Sequence, residues 1–209
     1  MRFLLATRNA KKLAELRRIL AEALPNGVDI VGLDQVESYV EVPETGLTFA
    51  DNALLKAREG VKYTGLPTIA DDSGIAVDAL NGMPGVFSAR WSGRHGDDRA
   101  NLDLLLAQIS DVDDPHRGGA FVCAAALVLV DGREFTVEGR MTGRLVRAPR
   151  GTGGFGYEPV FVADDRPVEP DGVERTNAEL SPAEKDAISH RGKAFRALVE
   201  IIVAEAAGG

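Results

Sequence analysis

The amino-terminal segment joins a short apolar strand directly to an amphipathic helix. Residues 2–7 form an apolar run that predicts a buried strand. Asn9 then caps a predicted helix whose apolar residues recur at helical spacing, namely Leu13, Leu16, Ile19, Leu20 and Leu24. A strand that passes through a tight turn into a helix is typical of α/β proteins. The chain is therefore predicted to have an α/β fold.

The rest of the chain continues to mix strand and helix patterns. Strands are predicted at 28–33, 68–70, 75–79, 120–130, 134–139 and 143–146, with turns at 71–74, at 131–132 and near Arg140. Helices are predicted from the cap Thr48 to Gly65, from the cap Asp97 or Asp98 through Ile109, and from Ser189 to Ala206. We therefore expect a sheet flanked by helices.

Size and charge restrict the kind of protein further. A chain of 209 residues suits a single domain spanning 1–209, with two lobes around a cleft. The net charge of −8 argues against a nucleic-acid partner, because a phosphate backbone is bound by positive surfaces. The longest apolar run, 120–130, is about half of a membrane span, so no membrane association is expected. A single cysteine, Cys123, makes a reducing cytoplasm the expected location.

Two polar segments suggest how a small phosphorylated ligand could be held. Residues 7–12 place a hydroxyl, an amide and two ammonium groups at a helix N-terminus, which favours anions. An ordinary N-cap followed by solvated lysines is the alternative. Asp71 and Asp72 follow a strand and repel each other, which favours a nearby cation such as Mg²⁺, with Glu44 as a further ligand. A turn with an Asx-type hydrogen bond is the alternative there.

The glycine-rich segment 151–159 contains a literal Gly151-x-Gly153-x-x-Gly156. A dinucleotide-binding fingerprint must open a helix, whereas Pro159 and a strand-like run follow here, so that interpretation is rejected. A loop that displays Phe155 and Tyr157 for stacking on a flat base fits better, with a bulged turn carrying two core aromatics as the alternative. Similarly, His190 and Arg191 are either ligand residues or first-turn surface residues of the last helix.

Six motifs in order resemble the inosine triphosphate pyrophosphatase (Ham1-like) family, from Leu5 to about Ala194. They are Thr7-x-Asn9-x-x-Lys12, Glu44-Thr45-Gly46-x-Thr48-Phe49-x-x-Asn52-Ala53, Ala70-Asp71-Asp72-Ser73-Gly74, Pro84-Gly85-Val86-x-Ser88-Ala89-Arg90, Gly151-Thr152-Gly153-Gly154-Phe155-Gly156-Tyr157, and Ala178-Glu179-Leu180 through Lys185 to Ile188-Ser189-His190-Arg191-Gly192. The chain departs from the family pattern at Glu158, where Asp is more usual, and at Asn177.

The resemblance implies an elongated mixed β-sheet flanked by helices, with two lobes around a central nucleotide-binding cleft. It also implies a homodimer that uses Mg²⁺ to cleave dITP, ITP or XTP into a monophosphate and pyrophosphate. Asp72 is implied as the catalytic base, and Asp72 and Glu44 as the metal ligands. The implied substrate-binding residues are Thr7, Arg8, Asn9, Ala10, Lys11, Lys12, Ser73, Phe155, Gly156, Tyr157, Glu158, Lys185, His190 and Arg191.

Two alternatives to this activity are kept. The chain could be a pyrophosphatase for another modified nucleotide, such as one with a methylated pyrimidine. It could also be a nucleotide-binding regulator without turnover, although Asp71, Asp72 and Glu44 argue against this, because a pure binding site has less need of a carboxylate at the α-phosphate.

Overall fold

The computed structural model describes residues 2–7, 13, 28–40, 42–167 and 172–208. Its strands are β1 (Arg2–Leu5), β2 (Asp29–Gly32), β3 (Thr68–Val77), β4 (Gly118–Val128), β5 (Glu134–Leu145) and β6 (Phe161–Ala163). Its α-helices are α1 (Phe49–Thr64), α2 (Asp98–Gln108), α3 (Pro182–Ile188) and α4 (His190–Gly208). Short 3-10 helices lie at Leu33–Gln35, Asp78–Leu80, Gly85–Arg90, Asp114–His116, Glu158–Val160 and Asn177–Glu179.

The strands form a mixed sheet, which confirms the predicted α/β fold class. The strand order is β2-β1-β3-β4-β5-β6. β1 pairs in parallel with both β2 and β3, whereas β5 and β6 are antiparallel. The predicted first helix lies almost entirely outside the described residues. No helix in the described part of the chain is long and apolar enough to cross a membrane.

The chain divides into two compact units. Unit 1 comprises 1–72, 123–139 and 191–209, and unit 2 comprises 73–122 and 140–190. In unit 1 the sheet is covered on both faces. Phe3, Leu5 and Ile69 share a core with residues of α4, whereas Leu4 and Ala70 share one with residues of α1. Side chains therefore alternate between an α4 face and an α1 face along β1 and β3.

Unit 2 has a core of its own. Ile75 and Val77 of β3 pack with Leu102 and Leu105 of α2, and further apolar residues come from β4, β5, β6 and the loop before β6. Tyr157 belongs to this core and is 5% exposed. The glycine-rich loop is therefore fixed to unit 2 at its carboxyl end.

Helix α1 begins and ends as its sequence predicts. The Thr48 hydroxyl accepts the N–H of Asp51 at 3.1 Å, and the Asp51 carboxylate accepts the N–H of Thr48 at 3.1 Å. This capping box satisfies donors that the first turn leaves without a helical partner. Gly65 ends the helix at φ +67°, a left-handed conformation that glycine adopts without strain.

Two predicted turns are wrong, because the structure has uninterrupted strands there. Residues 71–74 lie inside β3, and the turn near Arg140 lies inside β5. Gly74 and Gly143 serve close packing rather than chain reversal. A Cβ on Gly74 would overlap the Ser88 hydroxyl, and one on Gly143 would overlap the Val162 carbonyl oxygen of β6. Glycine inside a strand often marks such a close approach.

The carboxyl-terminal helical region begins earlier than predicted. A separate helix, α3, precedes α4, and it has a capping box between Ser181 and Glu184 with Pro182 in its first turn. The Ser-Pro-x-Glu spacing at 181–184 is a recognisable helix start. Ser189 lies between α3 and α4, so it is not part of the last helix.

Candidate active site

In unit 1, Asp72 lies at the centre of a polar cluster with Glu44, Asn52 and Lys56. Asp72 is 7% exposed and faces α1. The Asn52 side-chain amide donates to its Oδ2 at 3.0 Å, and the Lys56 ammonium lies 3.7 Å from its Oδ1. The same ammonium donates to Glu44 Oε1 at 2.8 Å. Two carboxylates therefore converge on one positive charge.

The charge state of Lys56 follows from its neighbours. Burial by itself lowers the pKa of the Lys56 ammonium, but the negative charges of Asp72, Asp71 and Glu44 outweigh it and raise the pKa above its ordinary value. Lys56 is therefore protonated at neutral pH, and it offsets the repulsion between the Glu44 and Asp72 carboxylates.

The donor set of this cluster fits Mg²⁺ bound together with a phosphorylated substrate. Glu44 and Asp72 both direct carboxylate oxygens, which are hard ligands, toward the Lys56 ammonium. Within the described ranges, no group of three or more His, Cys, Asp or Glu residues could hold a metal ion. Mg²⁺ commonly takes only one or two carboxylates and completes its coordination with water and substrate phosphate. The cluster matches that mode, and it does not form an all-protein cage.

Asp71 points to the opposite face of β3 and has different partners. It is 2% exposed. The Arg191 Nε at the start of α4 lies 3.4 Å from Asp71 Oδ2, and the Cys123 thiol of β4 lies 4.0 Å from the same oxygen. The alternative of an Asx-type turn at Asp71 is therefore wrong. Asp72 and Asp71 therefore face different cationic side chains, Lys56 at 3.7 Å and Arg191 at 3.4 Å.

In unit 2, three backbone N–H groups hold the glycine-rich loop in place. Gly153 donates to the Ala178 carbonyl at 3.0 Å, and Gly156 donates to the Asp98 carboxylate at 3.0 Å. Phe155 donates to Glu158 Oε2 at 3.0 Å. The loop is therefore fixed by two neighbouring segments and by its own glutamate.

The two aromatic residues of this loop have different environments. Tyr157 is a core residue whose hydroxyl donates to the Ser88 carbonyl at 2.8 Å. Burial, with a smaller effect from the Asp98 charge, raises the pKa of Tyr157. The prediction that Tyr157 is displayed for stacking is therefore wrong, and the core-aromatic alternative holds for it. Phe155 is half-buried, and the Lys185 ammonium lies 5.6 Å from the centre of its ring.

Glu158 and Lys185 form a salt bridge beside this loop. The Lys185 ammonium lies 3.2 Å from Glu158 Oε1 and 3.3 Å from Oε2. Glu158 is buried, with 6% of its surface exposed. It accepts from both the Phe155 backbone and Lys185.

The remaining predicted site residues are distributed as follows. His190, in unit 2, is 7% exposed and its ring stacks on Phe121 with the centroids 5.2 Å apart. Arg191, also buried, pairs with Asp71, so neither is a first-turn surface residue. Thr7 and Ser73 are half-buried, directly after β1 and inside β3. Arg8, Asn9, Ala10, Lys11 and Lys12 lie outside the described residues.

Sequence reasoning missed Asn52, Lys56 and Asp98. Asn52 and Lys56 are four residues apart and lie on one face of α1, where Ala53 and Ala57 are buried. An amide and an ammonium four residues apart on an otherwise apolar helix face indicate that the two side chains meet buried polar groups. The sequence therefore contained a signal for Asn52 and Lys56. No comparable pattern pointed to Asp98, because its contact with Gly156 joins residues that are 58 positions apart.

Comparison with known proteins gives a consistent result. The Ham1 family pattern matches residues 3–201. A dITP/XTP pyrophosphatase of Streptomyces coelicolor is 61% identical over 202 residues, which cover 96% of each chain. One of Mycobacteroides abscessus is 60% identical over 202 residues, which cover 97% of this chain and 95% of that protein. The solved Ham1 protein of Coxiella burnetii is 37% identical, with a TM-score of 0.84 over 98% of this chain and 99% of its own.

The family pattern and the near-complete coverage confirm the resemblance inferred from the six motifs. The described part of the chain is an α/β protein with a mixed sheet, and its fold matches that of the Coxiella burnetii structure. The chain belongs to the Ham1 family.

Proposed function

We propose that this chain is a Mg²⁺-dependent pyrophosphatase that converts dITP, ITP and XTP to the monophosphate and pyrophosphate. Relatives that are about 60% identical to this chain over nearly their full length carry the name dITP/XTP pyrophosphatase. The observation that carries the proposal is the convergence of Glu44 and Asp72 on the Lys56 ammonium. In such a partly buried cluster, the two carboxylates are suited to bind a metal and the ammonium is suited to bind a phosphate chain.

Glu44 and Asp72 would hold the metal. Once bound, Mg²⁺ neutralises phosphate charge and lowers the pKa of the attacking water. The Asn52 amide and the Lys56 ammonium both favour the ionised form of Asp72. An ionised Asp72 is able to accept the proton of the water that attacks the α-phosphorus. Lys56 supplies a fixed positive charge for the phosphate chain, and Thr7 with Asn9 and Lys12 is assigned to that chain by the family resemblance.

The residues of unit 2 are assigned to the nucleoside. Phe155 offers a half-buried ring, and Lys185 and His190 offer N–H donors. Hypoxanthine and xanthine present a keto oxygen at position 6, whereas adenine presents an amino group there. Donors placed for the keto oxygen would leave adenine unpaired, and such mispairing can reduce kcat/KM by about 10⁴-fold.

We further propose that the protein is a cytoplasmic homodimer. The family resemblance supports the homodimer, and the single cysteine supports a reducing compartment such as the cytoplasm. Burial of the Cys123 thiol in unit 1 is compatible with a reducing compartment. Light scattering on the purified protein at micromolar concentration tests the dimer directly.

A panel of nucleotides tests the activity. With Mg²⁺, we expect pyrophosphate to be released from dITP, ITP and XTP, with kcat/KM for ATP lower by at least about 10²-fold. GTP shares the keto oxygen, so a low kcat/KM for GTP requires crowding around its 2-amino group. We expect EDTA to abolish turnover and added Mg²⁺ to restore it. Orthophosphate as the first product would contradict the proposal. Preference for a methylated pyrimidine nucleotide, or binding without turnover, would favour one of the two alternatives.

Gly154→Ala tests the role of the glycine-rich loop. Gly154 has φ +72°, and an added Cβ would overlap Glu158 Oε2. Glu158 would have to move away, and its contacts with the Phe155 N–H and Lys185 would be lost. We expect KM for dITP to rise about 10-fold, the effect of losing about 1.4 kcal/mol of binding, with a smaller change in kcat.

Gly132→Ala is the matched control. Gly132 has φ +90° in the β4–β5 connection, and a Cβ there would meet nothing within 4 Å. Both substitutions strain the backbone by about 1–2 kcal/mol, but only Gly154→Ala disturbs Glu158. An unchanged KM in Gly154→Ala, or an equal rise in both variants, would refute the assignment of this loop to the nucleoside.

A further inference from the structure

Asn52 is fully buried and connects the two sides of the carboxylate cluster. It is 0% exposed. Its Oδ1 accepts the backbone N–H of Gly46 at 2.8 Å, and its Nδ2 donates to Asp72 Oδ2 at 3.0 Å. One side-chain amide therefore binds the segment that carries Glu44 and, at the same time, the carboxylate of Asp72.

The packing around this amide leaves little freedom. A Cβ on Gly46 would lie 2.7 Å from Asn52 Oδ1 and 2.6 Å from the Asp51 Cβ, so the Gly46 backbone lies directly against α1. Asn52 belongs to the first turn of α1, whose start is fixed by the capping box of Thr48 and Asp51. The position of the amide is therefore set by a rigid element and not by the loop that it holds.

The contact also determines how Asp72 is oriented. Oδ2 receives the amide donor from Asn52, while Oδ1 lies toward Lys56. Because the neutral amide of Asn52 donates to one particular oxygen of Asp72, it restrains the rotation of the carboxylate. It does so without adding a charge to the cluster. Glu44 lies two residues before Gly46 and contacts Lys56 on the same helix face.

We propose that Asn52 is a positioning residue that sets the spacing and orientation of Glu44 and Asp72 for the metal. This inference rests on the proposed function, in which these two carboxylates hold Mg²⁺. Asn52 acts through Gly46 and Asp72, and it needs no contact of its own with the metal or with the nucleotide. Groups that orient metal ligands typically change metal affinity or activity by about 10- to 100-fold when they are removed.

Asn101 provides a matched control in unit 2. It is 1% exposed on α2, its Oδ1 accepts the Ser92 N–H at 2.7 Å, and its Nδ2 donates to the Ala89 carbonyl at 3.2 Å. It therefore resembles Asn52 in burial and in the number of hydrogen bonds, but both of its partners are backbone groups. Asn52→Ala and Asn101→Ala should lower thermal stability to a similar degree.

The experiment compares these two variants by calorimetry and by kinetics. Mg²⁺ is titrated into full-length protein that is saturated with α,β-methylene-dITP, and pyrophosphate release from dITP is measured in parallel. For Asn52→Ala we expect the Mg²⁺ dissociation constant to rise about 10-fold or more and kcat to fall by a similar factor. For Asn101→Ala we expect both to stay within about 3-fold of the wild type, since its partners are two backbone groups and neither is a proposed metal ligand.

The outcomes separate this proposal from the proposed function. Equal Mg²⁺ affinity in the two folded variants would overturn the role of Asn52, even if the wild type releases pyrophosphate from dITP as expected. A wild type without Mg²⁺-dependent turnover would refute the proposed function instead. If Asn52→Ala does not fold, Asn52→Ser, which leaves a smaller cavity and one hydrogen-bonding oxygen, is measured with the same expected directions.

Discussion

Replacing Asp72 by Asn is expected to lower kcat for dITP by about 10³-fold, the usual range for loss of a general base, while the protein remains folded. The amide has nearly the same shape as the carboxylate, so the packing against α1 is preserved. It is a poor proton acceptor and a weaker metal ligand, and it removes the negative charge that Lys56 faces at 3.7 Å. Pyrophosphate release measures the loss, and circular dichroism checks the fold.

Asp103→Asn is the control for this prediction. Asp103 is an exposed residue of α2 whose carboxylate pairs with Arg99 at 2.7 Å on the helix surface. The same chemical change there should leave kcat unchanged. If Asp72→Asn retained more than about a tenth of the wild-type kcat, Asp72 could not be the group that accepts the proton.

The second large effect is expected on stability, from Arg191→Met. Arg191 and Asp71 side chains are 3% and 1% exposed, and the Arg191 Nε lies 3.4 Å from Asp71 Oδ2. Removing one partner of a buried ion pair typically costs about 3–5 kcal/mol, because the attraction that offset the burial of the other charge is lost. We expect the free energy of unfolding in urea to fall by that amount. The whole of unit 1 is affected, because the pair joins β3 to the first turn of α4.

A double variant and a surface variant complete this experiment. Asp71→Leu combined with Arg191→Met removes both charges, and it should recover much of the lost stability, because an apolar pair avoids the cost of burying two ions. Arg99→Met breaks an exposed pair on α2 and should leave stability unchanged within error. A loss in Arg191→Met no larger than that in Arg99→Met would contradict the importance of the buried pair.

Local patterns predicted those elements whose limits are set by neighbouring residues. Helix α1 begins at the Thr48 capping box and ends at Gly65, as its sequence indicates. The turns assigned at 71–74 and near Arg140 failed for a specific reason. Glycine was interpreted as a sign of chain reversal, whereas Gly74 and Gly143 are required by the close approach of Ser88 and of β6. Such an approach involves residues far along the chain, so the local pattern does not show it.

The candidate site was likewise only partly predictable. The family resemblance assigned Glu44, Asp72, Glu158 and Lys185 to the site, and the structure pairs Glu158 with Lys185 and brings Glu44 and Asp72 to one ammonium. The motifs did not identify Lys56, which is separated from Glu44 by 12 positions and from Asp72 by 16, and whose importance depends on the packing of α1 against β3. They also assigned Tyr157 to ligand stacking, although its ring belongs to the core of unit 2.

Asp71 and Asp72 show most clearly which features follow from the sequence by itself and which depend on the tertiary structure. The sequence alone determined the fold class, the family and the presence of two adjacent acidic residues after an apolar run. The tertiary structure decided that they have different partners, because successive side chains of a strand point to opposite faces. Asp72 meets Asn52 of α1, and Asp71 meets Arg191 of α4, a residue 120 positions away. Which helix covers which face depends on packing over the whole unit, and no local pattern contains that information.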